Sequence, residues 1–224
     1  MIDHIPSGLS IDPKSTALLL VGYQNDCFSA DGILRRIVPV QDQVDLAMAN
    51  TVMLLNRLAP TMMMLIATPL VLAANFRDLA ETEGILGMIK NSGALREGSA
   101  GADTVAEIRK LGKRITYVHR KQGFNAFANT DLDRVLWENN VSHVIMAGMM
   151  TSLCIDSTAR AAYERGYRVS ILADCIVART RDEQDFYCQS IFPLYADVIH
   201  SQRLMDQFGS GPGGTELSGA LSIK

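Results

Sequence analysis

Residues 141–160, VSHVIMAGMMTSLCIDSTAR, place a short apolar run, a glycine and a cysteine in an order that decides the fold of this chain. The run Val141–Ala147 is bounded by Gly148, which is typical of a buried parallel strand. The segment that follows has the pattern of a helix, and Thr151 or Ser152 is the expected N-cap. A buried strand that turns directly into a helix indicates an α/β protein.

Cys154 falls in the first turn of that predicted helix. Unpaired backbone N–H groups and the positive end of the helix dipole favour a thiolate at this position. The same N–H groups could bind a developing oxyanion. Cys154 is therefore a candidate nucleophile, and the alternative is that it is a small buried hydrophobic residue, a common role of free cysteine.

Strand-like and helix-like segments alternate along the rest of the chain, which predicts a parallel sheet with helices on both faces. The predicted strands are Thr16–Val21, Pro69–Ala74, Arg114–Val118, Val141–Ala147, Arg168–Ala173 and Asp197–Ile199. The predicted helices are Gln41–Leu58, Glu83–Lys90, Ala102–Leu111, Asp131–Asn139, Ser152–Arg165, Arg181–Tyr195 and Gln202–Phe208. Because ligands of open α/β sheets bind at the carboxyl ends of the strands, the residues after each strand are the functional candidates.

The composition is that of an ordinary globular protein, with 224 residues, 48% hydrophobic residues and a net charge of -3. No strongly basic segment predicts nucleic-acid binding, no apolar run is long enough to span a bilayer, and no signal peptide is visible. We expect a cytoplasmic protein with one domain over residues 1–208 and a flexible Gly/Ser-rich tail at 209–224. The tail contains GSGPGG, but this match to the dinucleotide fingerprint follows a predicted helix and includes Pro212, so we reject it.

The cysteines and histidines show no spacing that would hold a metal. The four cysteines form no CxxC pair, and the four histidines show no HExxH or similar pattern. A glycine-rich phosphate loop followed by lysine and serine or threonine is also missing. The sequence therefore predicts free thiols, no metal and no cofactor.

Two further segments end predicted strands with polar residues. The first is KQGFNAF at 121–127, where Lys121 would face the crevice at the end of the sheet. A single lysine is more often a solvated surface residue, but a partly buried Lys121 beside Cys154 would stabilise a thiolate. The second is GYQNDCF at 22–28, where Asp26 is either a catalytic acid or, more commonly, a turn-forming residue.

These segments, in this order, make the chain resemble the isochorismatase-like cysteine hydrolases from about residue 14 to 205. The motifs that carry the resemblance are GMMTSLCIDSTAR at 148–160, KQGFNAF with TDL at 130–132, YQNDCF at 23–28 and EGSAGA at 97–102. The resemblance implies a three-layer, Rossmann-like α/β sandwich with a mostly parallel six-stranded sheet. It also implies Cys154 as nucleophile, Lys121 as its cationic partner, an oxyanion hole formed by the N–H groups of Met150 and Cys154, and a cis peptide bond between Met149 and Met150.

One position departs from the family pattern. Members of the family usually carry an aspartate at the end of the first strand, and this chain has Gly22 there. The missing carboxylate would exchange a proton with the thiol and the leaving group, which is worth roughly 10²–10⁴-fold in rate. Either another acid enters the pocket, or the substrate supplies its own proton, or ordinary amidase chemistry has been lost.

The resemblance implies a hydrolase of a small amide, ureido or related C–N substrate. Nicotinamide is disfavoured, because residues 73–78, AANFRD, lack the metal-binding histidines of nicotinamidases. The alternative is a catalytically silent member of the family that binds a small ligand or a protein partner in the same crevice. Self-association into a homo-oligomer is expected from the apolar composition, and because related hydrolases are commonly oligomers.

Overall fold

The computed structural model describes residues 10–76 and 83–208, and the predicted tail at 209–224 lies outside them. Its strands are β1 (Thr16–Val21), β2 (Met64–Thr68), β3 (Ile115–Tyr117), β4 (His143–Met149), β5 (Arg168–Val177) and β6 (Asp197–Ile199). Its α-helices are α1 (Asn25–Phe28), α2 (Gln41–Leu58), α3 (Gly84–Ser92), α4 (Ala106–Arg109), α5 (Leu132–Glu138), α6 (Asp156–Glu164), α7 (Arg181–Phe186) and α8 (Ser201–Gln207). Short 3₁₀ turns lie at Arg35–Ile37, Ala100–Ala102, Gly112–Arg114 and Phe192–Leu194, and π-helical turns lie at Thr151–Ile155 and Tyr187–Ile191.

The six strands form one parallel sheet in the order β3-β2-β1-β4-β5-β6. The order reverses between β1 and β4, because the chain extends the sheet on one side of β1 and then crosses to the other. A crevice opens at such a reversal beyond the carboxyl ends of the two central strands. The predicted α/β sandwich is confirmed, and the six strands are all parallel.

Alternate residues of β1 divide the core into two layers. Leu18 and Leu20 pack in the apolar cluster that contains α2, while Ala17, Leu19 and Val21 pack in the cluster of α5 and α6. A strand that is buried on both faces reads as a continuous apolar run, which is why the sequence predicted it well. Within the described residues, no helix is both long enough and apolar enough to cross a membrane.

Candidate active site

Three segments that follow β1, β3 and β4 meet at the crevice. Gly22 follows β1, Lys121 follows β3, and Cys154 lies five residues beyond β4. Although β3 ends at Tyr117, Lys121 is held at the sheet edge by a parallel bridge to Leu70. All three positions line one pocket.

The turn after β4 brings the backbone of two central strands into close contact. Gly148 has a φ of +127°, and a Cβ atom at this position would collide with the carbonyl oxygen of Val21. The peptide bond between Met149 and Met150 is cis. Only glycine fits at residue 148, since the conformation is left-handed and the neighbouring strand leaves no room for a side chain.

Cys154 lies in a π-helical turn, Thr151–Ile155, and not in an ordinary first α-helical turn. The carbonyl oxygen of Met150 accepts hydrogen bonds from the N–H groups of Leu153 and Ile155, each at 3.1 Å. The predicted N-cap is wrong: neither Thr151 nor Ser152 caps the helix, and the Thr151 hydroxyl donates to Oε1 of Gln184 at 2.8 Å. The wider π turn is a local feature often found at functional sites.

A buried hydrogen bond joins the two residues that the sequence selected. Nζ of Lys121 lies 3.5 Å from Sγ of Cys154, Lys121 is fully buried, and Cys154 is 9% exposed. Within residues 10–76 and 83–208, Sγ of Cys154 is the one side-chain atom that accepts from this ammonium. A buried ammonium needs an anion or a hydrogen-bond acceptor beside it, and Sγ of Cys154 occupies that position.

A second thiol, that of Cys27, lines the same pocket. Burial, followed by the proximity of Cys154, raises the pKa of Cys27 to about 12. Cys27 therefore stays protonated at neutral pH. The position of Cys27 in the pocket was not predicted, because α1 is too short to show a periodic pattern.

Gly22 lines the pocket with a left-handed backbone, at a φ of +70°. A Cβ atom there would lie 3.0 Å from the carbonyl oxygen of Met149, so the site tolerates a side chain only with a small shift. Among the described residues that line the pocket, none is Asp, Glu or His. No described carboxylate therefore takes the place of the missing aspartate.

Asp26 is a structural residue in this fold. Its carboxylate accepts the N–H of Leu95 at 2.7 Å and the N–H of Ile33 at 3.3 Å, and it is not among the residues that line the pocket. These bonds fasten α1 to two neighbouring loops. Of the two roles considered for Asp26, the structure supports turn formation.

Sequence reasoning missed two polar residues that position the site. Gln24 is buried, accepts the N–H of Leu70 at 2.9 Å and donates to the carbonyl oxygens of Leu70 and Ala102. Thr158 on α6 accepts the N–H of Ala126 at 3.0 Å and so ties the helix of the cysteine to the segment that follows Lys121. Both residues lie in motifs noted in the sequence. Their burial, which the sequence does not show, is what identifies them as positioning residues.

The described residues contain no group of three or more His, Cys, Asp or Glu side chains that could hold a metal ion. What they contain is a buried thiol and a buried ammonium at the strand-order reversal of a doubly wound sheet. This arrangement defines a doubly wound α/β protein with a buried lysine–cysteine pair at its crevice.

The isochorismatase domain profile matches residues 16–203, and the chain belongs to the isochorismatase family. It is 32% identical over 91 residues to nicotinamidase 3 of Arabidopsis thaliana, covering 41% of this chain and 46% of that protein. It is 33% identical over 87 residues to maleamate amidohydrolase of Pseudomonas putida, covering 39% and 41%. The matches span about half the length, or slightly less, of these curated relatives.

Among solved structures, the fold is similar to that of a cysteine hydrolase from Pseudomonas syringae pv. phaseolicola. The TM-score is 0.74 with 21% identity, and the alignment covers 89% of this chain and 94% of that one. At this identity the similarity establishes the fold.

Proposed function

We propose that this chain is a cysteine hydrolase that cleaves a small amide, ureido or related C–N substrate. The observation that carries the proposal is the 3.5 Å hydrogen bond between Nζ of Lys121 and Sγ of Cys154 inside a pocket. A thiolate beside a cation is the activated form of a cysteine nucleophile. Family membership and two relatives named as amide hydrolases support the C–N class.

In the proposed first half-reaction, Sγ of Cys154 attacks the carbonyl carbon and the π electrons move to oxygen. The N–H groups of Met150 and Cys154 are the proposed donors to this oxyanion. When the intermediate collapses, the C–N bond breaks and the ammonium of Lys121 gives its proton to the departing nitrogen. The products of this step are a thioester on Cys154, ammonia or an amine, and a neutral lysine.

In the second half-reaction, Lys121 takes a proton from water as the water oxygen adds to the thioester carbonyl. The C–S bond then breaks and releases the acid together with the Cys154 thiolate. Lys121 is again an ammonium, so the pair is restored with one water consumed. In this route Lys121 carries out the proton transfers that the missing aspartate would carry out. No carboxylate is therefore needed at residue 22.

The test is a panel of small amides and ureides, followed by ammonia release and by the mass added to Cys154. We expect turnover in the wild type, a thioester-sized adduct on the peptide of Cys154, and loss of both in Cys154→Ala. Cys188→Ala is the matched control, because Cys188 is half-buried and does not line the pocket. Turnover that survives Cys154→Ala would overturn the proposal.

The second candidate is a catalytically silent binder, which is favoured by Gly22 and by the lack of an Asp, Glu or His among the described lining residues. Gly22→Asp compared with Gly22→Asn separates the two, because the side chains share a shape and a tolerance of left-handed backbone while only one is a carboxylate. A silent binder should gain amidase activity in Gly22→Asp alone. An adapted enzyme should lose turnover in both variants, because the added side chain obstructs the pocket.

A further inference from the structure

We infer that the pocket selects a substrate whose acyl group is an uncharged hydrocarbon, and that it rejects a substrate that carries a carboxylate. This inference rests on the proposed function, which it narrows from C–N substrates in general to neutral aliphatic or aryl amides. The inference is argued from the side chains that form the walls of the pocket, and not from Lys121 and Cys154.

The walls come from several segments of the chain and are mostly apolar. Leu34 and Val38 lie before α2, Ile85 and Ile89 lie on one side of α3, and Phe124 follows Lys121. Leu70, Leu95, Met149, Met150 and Leu153 complete the apolar lining. The amide of Gln24 also lines the pocket, but its oxygen and nitrogen are already hydrogen-bonded to the backbone of Leu70 and Ala102. A site that must bind a polar acyl group normally presents a few polar groups among such walls.

The charge balance of the pocket points the same way. Lys121 is the only charged side chain among the described residues of the lining, and its ammonium is already bound to Sγ of Cys154. A carboxylate on the substrate would enter this apolar space without a cationic partner among the described lining residues, which is strongly unfavourable. Each additional methylene that leaves water should instead improve binding by about fourfold.

The first test is a homologous series of primary amides from acetamide to hexanamide, with kcat/KM as the readout. We expect kcat/KM to rise by about fourfold per methylene until the pocket is filled. The isosteric pair 4-methylpentanamide and succinamate then isolates charge, since the two differ in a terminal isopropyl group against a carboxylate. A flat series, or succinamate as the better substrate, would overturn the inference.

A second measurement works even if no amide is hydrolysed. The rate of Cys154 alkylation by N-butyl iodoacetamide is compared with the rate for N-(2-carboxyethyl) iodoacetamide, each normalised to its rate with free cysteine. We expect the neutral reagent to be preferred by tenfold or more, as about 1.4 kcal/mol of discrimination implies. If the neutral reagent labels Cys154 preferentially but no amide is hydrolysed, only the proposed function is contradicted. If amides are hydrolysed but the anionic reagent or substrate is preferred, only this inference is contradicted.

Met88 offers a charge variant at the mouth of the pocket, since it lines the pocket and is also 43% exposed. Met88→Lys should shift the ratio of succinamate to 4-methylpentanamide toward the anion by several-fold. The matched control is Met53→Lys, because Met53 is 52% exposed on α2 and does not line the pocket. An equal shift in both variants, or no shift in Met88→Lys, would remove α3 from the proposed acyl site.

Discussion

Removal of the Cys154 thiol should strand the buried ammonium of Lys121. At the observed 3.5 Å separation and an effective dielectric constant of about 20, the attraction between the two charges is about 5 kcal/mol. We therefore expect Cys154→Ala to lower the free energy of unfolding by about 3–5 kcal/mol, the usual effect of breaking a buried ion pair.

The assay is urea unfolding at pH 7 of the two single variants and the double variant. Lys121→Met should be milder than Cys154→Ala, because the remaining thiol can take up a proton and stay neutral. The double variant Lys121→Met/Cys154→Ala should recover most of the stability that Cys154→Ala loses, since it buries no charge. Stability losses that simply add in the double variant would refute the ion pair.

Cys27→Ala is the matched control for this cycle. Cys27 lines the same pocket, but its raised pKa keeps it neutral, so its removal strands no charge. A loss of about 1 kcal/mol, the typical effect of a point substitution, is expected. A loss as large as that of Cys154→Ala would show that cavity formation, and not charge, dominates at this pocket.

The other predictions concern thiol reactivity, acid stability, metals and assembly. Burial raises the pKa of Cys27, Cys175 and Cys188 to about 12, so limited alkylation at pH 8 with peptide mapping should label Cys154 first. Burial, with a smaller contribution from Arg168, lowers the pKa of His143 to about 4, so the unfolded chain binds more protons between pH 6.5 and 4. Stability should fall by about 3 kcal/mol as the pH drops through that window, and urea midpoints of His143→Gln should fall less. Turnover should persist in a chelator such as EDTA, and light scattering should show a species larger than the 24.5 kDa monomer. Loss of turnover in EDTA that zinc restores would contradict the prediction of a metal-independent reaction. A clean monomer in light scattering would contradict the prediction of self-association.

The sequence predicted β1, α2 and β6 with their observed bounds. The second strand was wrong: the prediction was Pro69–Ala74, and the strand is Met64–Thr68. Both halves of this long apolar stretch look alike in periodicity. Pro69 decides between them, since it has no N–H to donate and cannot continue a central strand.

The candidate site was predictable in part. Strand ends converge in a parallel sheet, so Cys154 and the segments of Lys121 and Gly22 could be placed at one edge. The 3.5 Å contact, the π turn and the presence of Cys27 could not be predicted, because they depend on packing between segments far apart in the chain. The sequence predicted an α-helix over 152–165 and not a π turn at its start, because α-helical and π-helical turns have similar apolar patterns.

Part of the apolar wall of the pocket lies on segments distant in sequence from the turn that carries Cys154, with consequences for how such a protein diversifies. The strand end and turn at 148–155 are constrained by backbone contacts, as the collision at Gly148 shows. Leu34 lies before α2, and Ile85 and Met88 lie on α3, so these apolar side chains can be exchanged without disturbing that turn. Substitutions at these wall positions therefore change the shape of the pocket while the turn that holds Cys154 stays the same.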